Sequence, residues 1–450
     1  MQRQETMSLR IHRFTVVQAT RRPIFLLVIA LLFVAGGAGL HLLQADPTPW
    51  SQRAPAAIER GSVDDLAQLE MRLQRNPGDA NAFALLGQAL LQQVRETGDV
   101  SLYTRAGQAF TRALDQDPKQ LDAIIGQGML ALALHDFHAA LRWADQAWAL
   151  NPLRAQTLGV KVDALVELGR YDEAVTTLQQ MVDLRPDLAS YTRVSYLREL
   201  HGEVEGAIDA MSKAAGMTMP GSEQWLWTMV QLGHLYWNSG QIDDAEQVYR
   251  QALQLRNDYP YALAGVGRIQ AARGNFADAI KLYEQLTRRL PLPEFVVTLG
   301  ELYTATGQLE RAAQQYDLVR TMQKLNAASG MNVDLELATF EVNYGSDPMA
   351  ALAQAQAAYA ERPTIYAADT LAWAFYRTGN YASAGRYSAE ALRLGTRDAL
   401  LHFHAGMIAV ALGETVAAQQ HLRTALDINP YFSLTFASEA QEKLVELENR

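Results

Sequence analysis

An all-α solenoid of about ten stacked helical hairpins is the fold class this sequence predicts. Three observations point to it. Gly233, Gly240, Ala245 and Tyr249 recur as Gly267, Gly274, Ala279 and Tyr283, each 34 positions later. Pro118, Pro152 and Pro186 keep the same 34-residue spacing, each just past a helix that a proline would end. No segment alternates apolar and polar residues with period two for long enough to argue a strand. The recurring small residues have a physical reason. Gly233 and Gly267 sit in mid-helix, where lacking a side chain lets a partner approach closely. Gly240 and Gly274 fall where a first helix must stop in a left-handed conformation. Ala245 and Ala279 lie at the tight crossing of the second helix, with Tyr249 and Tyr283 one turn on to fill the gap.

From the N-terminus, residues 1–22 hold five arginines against Glu5, a balance of +4, within a chain of net charge −10. The remainder therefore carries −14, the difference between the two. Residues 23–40 form an apolar run without a charge, long enough as a helix to span about 27 Å, close to the hydrocarbon thickness of a bilayer. A transmembrane signal-anchor helix is expected over 23–44. The basic flank predicts a cytoplasmic N-terminus and repeats on the extracytoplasmic side. Cleavage near Gly36 and Ala38 is the alternative, and it would leave a secreted or periplasmic protein. Residues 45–61, with Pro47, Pro49 and Pro55, read as a linker.

The solenoid is expected over 62–430. Ser62 is placed to cap an opening helix with Leu66, Leu69 and Leu73 on one face, which closes the end of the stack. The first hairpin carries Gly87, Ala106, Phe110 and Ala113, with about seven extra residues between its helices around Glu96 to Leu102. Two units marked by Gly128 and Gly169 follow, then a degenerate one with Gly202, Ala207 and Ala214. After the two clearest units, the Gly300 unit has a second helix running long, to about Gly330. A weak unit surrounds Gly345. The last pair is clean again, with Ala372, Gly379, Ala384 and Ala391 matched by Gly406, Gly413, Ala418 and Ala425. Residues 431–450 are expected to form a capping helix, with Ser438 as its N-cap.

The pattern resembles the tetratricopeptide repeat, which implies a right-handed superhelix whose first helices line a concave groove. The ordered series also resembles a family of bacterial envelope proteins with an N-terminal membrane span and a repeat array. The stretches that carry this likeness are Leu184 to Ser190, Leu290 to Glu294 and Arg397 to Met407. That family implies no molecular activity for this chain.

Chemistry-bearing motifs are sparse, and no enzymatic activity, cofactor or metal is expected. The chain has no cysteine, which excludes disulfides, thiolate metal sites and a thiol nucleophile. Gly126-Gln127-Gly128 and Gly265-Val266-Gly267 follow no strand and lie within repeat helices, so they read as close packing rather than phosphate loops. His402 and His404 point about 200° apart on a helix and cannot share an ion. His135 and His138 fall at a turn and read as solvated. The acidic body is a poor match to a phosphate backbone, so no nucleic acid is expected.

The inward stripe of the first helices carries the candidate partner-binding residues: Trp227, His234, Trp237, Tyr261, Arg268, Asp369, Trp373, Tyr376 and Arg377. Aromatic and charged anchors of this kind suit a protein or peptide partner, and packing against a neighbouring helix is the competing role. A clamp for an acidic chaperone tail is not expected, because none of the residues three before each small residue is lysine. The sequence thus reads as a membrane-anchored, non-catalytic interaction scaffold. The alternatives are a secreted repeat protein, or an enzyme or RNA-binding protein built on helical repeats.

Overall fold

The computed structural model describes residues 61–449. The basic N-terminus, the expected span over 23–44 and nearly all of the linker lie outside the described residues. No described helix is long and apolar enough to cross a membrane.

Among the described residues, twenty-two helices follow one another. Helix α1 (Gly61–Arg75) stands alone at the start. Ten hairpins come next, beginning with α2 (Ala80–Thr97) and α3 (Leu102–Gln116), α4 (Leu121–Ala133) and α5 (Phe137–Leu150), and α6 (Ala155–Glu167) and α7 (Tyr171–Leu184). The middle of the array is α8 (Leu188–Leu200) and α9 (Val204–Gly216), α10 (Glu223–Asn238) and α11 (Ile242–Leu255), and α12 (Pro260–Ala272) and α13 (Phe276–Arg289). Then come α14 (Pro293–Ala305) and α15 (Leu309–Ala328), and α16 (Asp334–Tyr344) and α17 (Pro348–Glu361). The array ends with α18 (Ile365–Arg377) and α19 (Tyr381–Ala391), α20 (Ala399–Leu412) and α21 (Thr415–Ile428), and the closing helix α22 (Phe436–Glu448).

Local chemistry sets most of these boundaries. Ser222 caps α10 by accepting the Trp225 amide at 3.2 Å, and Asp398 caps α20 by accepting the Leu401 amide at 3.0 Å. Three local expectations are corrected. Helix α1 already includes Gly61, so Ser62 lies inside it rather than at its cap. Helix α22 begins at Phe436, and Ser433, not Ser438, accepts the amides of Thr435 and Phe436. Most of the extra residues in the first hairpin lengthen α2 to 18 residues instead of widening the turn.

In four of the hairpins, an aromatic ring (Phe110, Tyr249, Tyr283 or Tyr316) fills the space that glycine leaves open. Tyr249 of α11 lies between α10 and α12, where a Cβ on Gly233 would sit 2.3 Å from its ring and one on Gly265 2.6 Å. Phe110 is held in the same way between Gly87 and Gly126. Both rings are fully buried. Any side chain at these glycines would push the hairpins apart, which is why the glycine–aromatic pair recurs with the period.

The first helices of neighbouring hairpins also pack on one another, as α2 does on α4, α4 on α6 and α16 on α18. The second helices make no comparable mutual contact, so the array curves with the first helices inside. That curvature brings the chain back onto itself. The hairpin α4–α5 meets α16–α17, six hairpins further on: the Asn332 amide donates to the Leu134 carbonyl at 2.8 Å, and the His135 Nδ1 lies 2.9 Å from the Asn332 carbonyl. Tyr171 receives the Ile365 amide on its hydroxyl, and Thr396 donates to the Leu200 carbonyl. Asn429 donates to the Trp237 carbonyl at 3.0 Å. Turns that follow first helices thus rest on loops that precede first helices one superhelical turn later.

The contact is closest at two glycines. A Cβ on Gly169 would lie 2.4 Å from the Pro363 carbonyl oxygen, and one on Gly202 2.4 Å from that of Gly395. Arg362 reinforces this seam. It is buried between Glu167, at 3.1 Å, and Glu336, at 2.6 Å, with its guanidinium 5.1 Å from the centre of the Phe137 ring. Burial raises the Glu336 carboxyl, but His135 and Arg362 overcome it and hold the group down at about 2. His135 is itself buried and stacked on Phe137 rather than solvated, and its φ of 58° takes the place that glycine fills in other hairpins.

Gly169 and Gly307 share the same left-handed backbone, at φ 69° and 72°, but only Gly169 faces another turn. Gly307→Ala is expected to lose about 1 kcal/mol of stability from the backbone alone. Gly169→Ala is expected to lose about 2–4 kcal/mol, because the clash with Pro363 adds to it. Denaturant melts measure both losses, and small-angle scattering should show a larger radius of gyration for Gly169→Ala only.

Candidate functional site

Closing the turns converts the concave groove into a walled lumen. Its lining comes from the inward positions of the first helices, and the nine candidate residues fall into two groups. Asp369, Trp373 and Tyr376 of α18 belong to one packed cluster. The Trp373 ring stacks on Tyr376 at 4.4 Å and on His404 of α20 at 4.2 Å. Phe436 of α22 meets the same ring edge-on at 6.2 Å. Asp369 is buried and lies 2.9 Å from the His404 Nδ1. Arg377 turns away from this cluster and donates to the Val342 and Gly345 carbonyls at the end of α16. Trp373 therefore serves the interior of this chain.

The second group surrounds Trp237, which is 3% exposed. Arg268 of α12 holds its guanidinium 5.6 Å from the centre of the Trp237 ring. His234 places Nδ1 2.7 Å from the Tyr249 hydroxyl. Burial, assisted by the charge of Arg268, lowers the His234 imidazole to about 3, so it is neutral at physiological pH. Tyr261 packs against Tyr259 and Phe295 and remains partly exposed, as Trp227 does.

Residues 431–438, read from the sequence only as part of a cap, join the two groups. Phe436 stacks on Phe403 at 5.1 Å on one side and lines a cavity with Trp237 and Arg268 on the other. That cavity holds about 500 Å³ and is walled by α10, α12, α14, the end of α16 and the segment before α22. Glu301 of α14 lines it, accepting the Tyr344 hydroxyl at 2.6 Å. Burial raises the Glu301 carboxyl to about 7, against that hydrogen bond and the more distant charge of Arg268.

Further along the lumen, inward charges tie first helices together. Arg193 of α8 makes a bidentate pair with Asp163 of α6, at 2.8 and 2.6 Å, with both side chains buried. A Cβ on Gly159 would lie 3.1 Å from the guanidinium carbon, so that glycine makes room for it. The sequence carried a trace of this pair: an acid just after the small position of one hairpin and an arginine on the inner helix of the next. Glu199 of α8 accepts the Asn238 amide at 2.8 Å. Burial raises its carboxyl to about 7, the hydrogen bond opposes this, and the negative charge of Asp398 adds to it. Among the described residues, no group of three or more histidine or acidic side chains could hold a metal ion.

The periodic hairpins, the glycine–aromatic slots and the inward first helices define a class of helical-repeat protein. The chain belongs to the tetratricopeptide repeat family, whose profiles match residues 131–198, 230–292, 267–324 and 370–431. Cellulose synthase 1 operon protein C of Komagataeibacter xylinus is 25% identical over 265 residues, which is 59% of this chain and 17% of that protein. Anaphase-promoting complex subunit 7 of Arabidopsis thaliana is 22% identical over 327 residues, 66% of this chain and 58% of that protein. The chain thus spans less than two thirds of the length of these curated relatives. Among solved structures, the Cut9–Hcn1 hetero-tetramer of APC/C covers 87% of this chain and 94% of its own at 16% identity, with a TM-score of 0.38. The human IFIT1 dimer with PPP-AAAA covers 73% of this chain and 77% of its own at 16% identity, with a TM-score of 0.46. The array is suited to holding protein or peptide partners.

Trp373→Ala is expected to lower stability by about 3–5 kcal/mol, because it empties a stacked core position. Thermal melting checks this, and a wild-type melting profile would return Trp373 to the partner-binding surface. Glu199→Gln keeps an acceptor for Asn238 but removes the buried acid. In the wild type, the unfolded carboxyl ionises near 4.5 and the folded one near 7, so this group's contribution to stability is lost as pH rises between those values. The variant is therefore expected to be more stable than wild type at pH 8 by about 1–2 kcal/mol and indistinguishable at pH 4. Denaturant melts at the two pH values measure the difference.

Proposed function

We propose that the protein is a non-catalytic scaffold, anchored by a helix over residues 23–44, that holds a protein or peptide partner on the extracytoplasmic side of a membrane. The observation that carries this reading is the continuous inner wall of first helices, presented by ten hairpins of a family suited to protein interaction. The charge-free run at 23–40 behind five arginines supports the anchor and its orientation. Relatives such as the anaphase-promoting complex subunit are named as members of an assembly, which fits a scaffold. No matched family is catalytic, and the acidic body disfavours nucleic acid.

Of the nine proposed contact residues, Trp227, His234, Tyr261, Arg268, Tyr376 and Arg377 keep partial exposure, and they form the proposed contact edge. Trp237, Asp369 and Trp373 are buried and shape the wall behind it.

Two measurements test the reading. A phosphatase that is active only after export, fused to the C-terminus, is expected to be active and to sediment with membranes; an inactive fusion would place the array in the cytoplasm. Photo-crosslinking from position 227 in intact cells is expected to trap one discrete partner. That adduct should fall about tenfold with Tyr261→Ala at unchanged melting temperature. Diffuse labelling, or labelling indifferent to the substitution, would reject the lumen as the contact surface.

A further inference from the structure

The 500 Å³ cavity beside Trp237 contains a feature that scaffolding does not explain. Two side chains of opposite charge, Arg268 and Glu301, line it without pairing with each other. Glu301 accepts from Tyr344, and Arg268 lies over the Trp237 ring and close to the Tyr283 hydroxyl. Among the described residues, no carboxylate comes within the 4.0 Å of an ion pair with Arg268. Opposite charges that share an enclosed space normally close onto each other, because burial penalises each one alone. Here the neighbouring groups hold them apart.

Aromatic rings make up part of the remaining wall, with Trp237 from one superhelical turn and Phe432 and Phe436 from the next, beside the hydroxyls of Thr298, Ser433 and Ser438. The volume falls within the range of small-molecule sites, about 300–1,000 Å³. The cavity therefore offers one cation, one carboxyl group and an aromatic wall.

We infer that this cavity binds a small zwitterion with a large apolar side chain: a free α-amino acid or a short peptide of such residues. The ligand carboxylate takes the Arg268 guanidinium. Its ammonium group donates to the Glu301 carboxylate. Its side chain lies against Trp237 and Phe436. The ligand would bridge α12 and α14 to the segment before α22, and so pin the C-terminal cap to the preceding superhelical turn. This inference goes beyond the scaffold reading and does not depend on a partner or on the membrane anchor.

Isothermal titration of the full chain in detergent tests it with four probes: L-phenylalanine, the dipeptide Phe-Phe, N-acetylphenylalanine and phenylalanine amide. At least one of the first two is expected to bind, and the preference between them identifies the source. The last two, which lack one charge each, are expected to bind about tenfold more weakly or worse. Arg268→Gln and Glu301→Gln, checked for wild-type melting, should each lower affinity by about tenfold or more. Absence of binding by both zwitterions at millimolar concentration would overturn the proposal. So would equal affinity for the single-charge analogues, a comparison made on the wild type and independent of any variant's folding.

Discussion

The contact between successive superhelical turns governs what this molecule can do. A repeat array with an open pitch presents a groove, and each inward side chain faces solvent or a partner. Here Gly169 and Gly202 let the turn after a first helix lie directly on the backbone of Pro363 and Gly395. Backbone hydrogen bonds and a buried arginine shared by two carboxylates then lock the seam. The inner wall becomes the interior of the protein, and residues that would be groove residues in an open array become core residues.

The polar character of the lumen follows from that closure. The first helices bring inward Asp163, Glu167, Glu199, His234, Arg268 and Glu301, and closure removes much of their water. Some satisfy one another, as Arg193 does Asp163 across α6 and α8. Others shift in acidity: burial raises Glu199 and Glu301 and lowers His234. A buried charge with one partner is costly to disrupt, so the pairs that join adjacent first helices and adjacent turns also specify which helices are neighbours.

Much of the hairpin architecture was legible because its determinants are local and repeat. Gly233 needs Tyr249 sixteen residues on, and Gly240 needs only its own backbone geometry, so both leave a mark at every 34-residue step. The side-chain roles were less legible. Trp237, Trp373 and Asp369 occupy inward helix positions, as their spacing implies, yet burial by other parts of the chain decides their role. His135 reads as a turn residue until Asn332 and Glu336 arrive from six hairpins away. Residues 432–438 carry no periodic signal, because a segment that ends a stack has no next repeat to match.

The sequence by itself determined that the chain is helical and that its hairpins recur at a 34-residue spacing. These properties depend on contacts within one period or between adjacent periods, and a fixed spacing records them directly. Only the tertiary structure decided that successive turns touch, that the groove closes into a lumen, and that Phe436 and its neighbours wall a cavity against Trp237. Those outcomes depend on the small rotation between successive hairpins, accumulated over six of them. No residue encodes that sum, and a change of a few degrees per hairpin would separate Gly169 from Pro363 and leave the same 34-residue pattern in place.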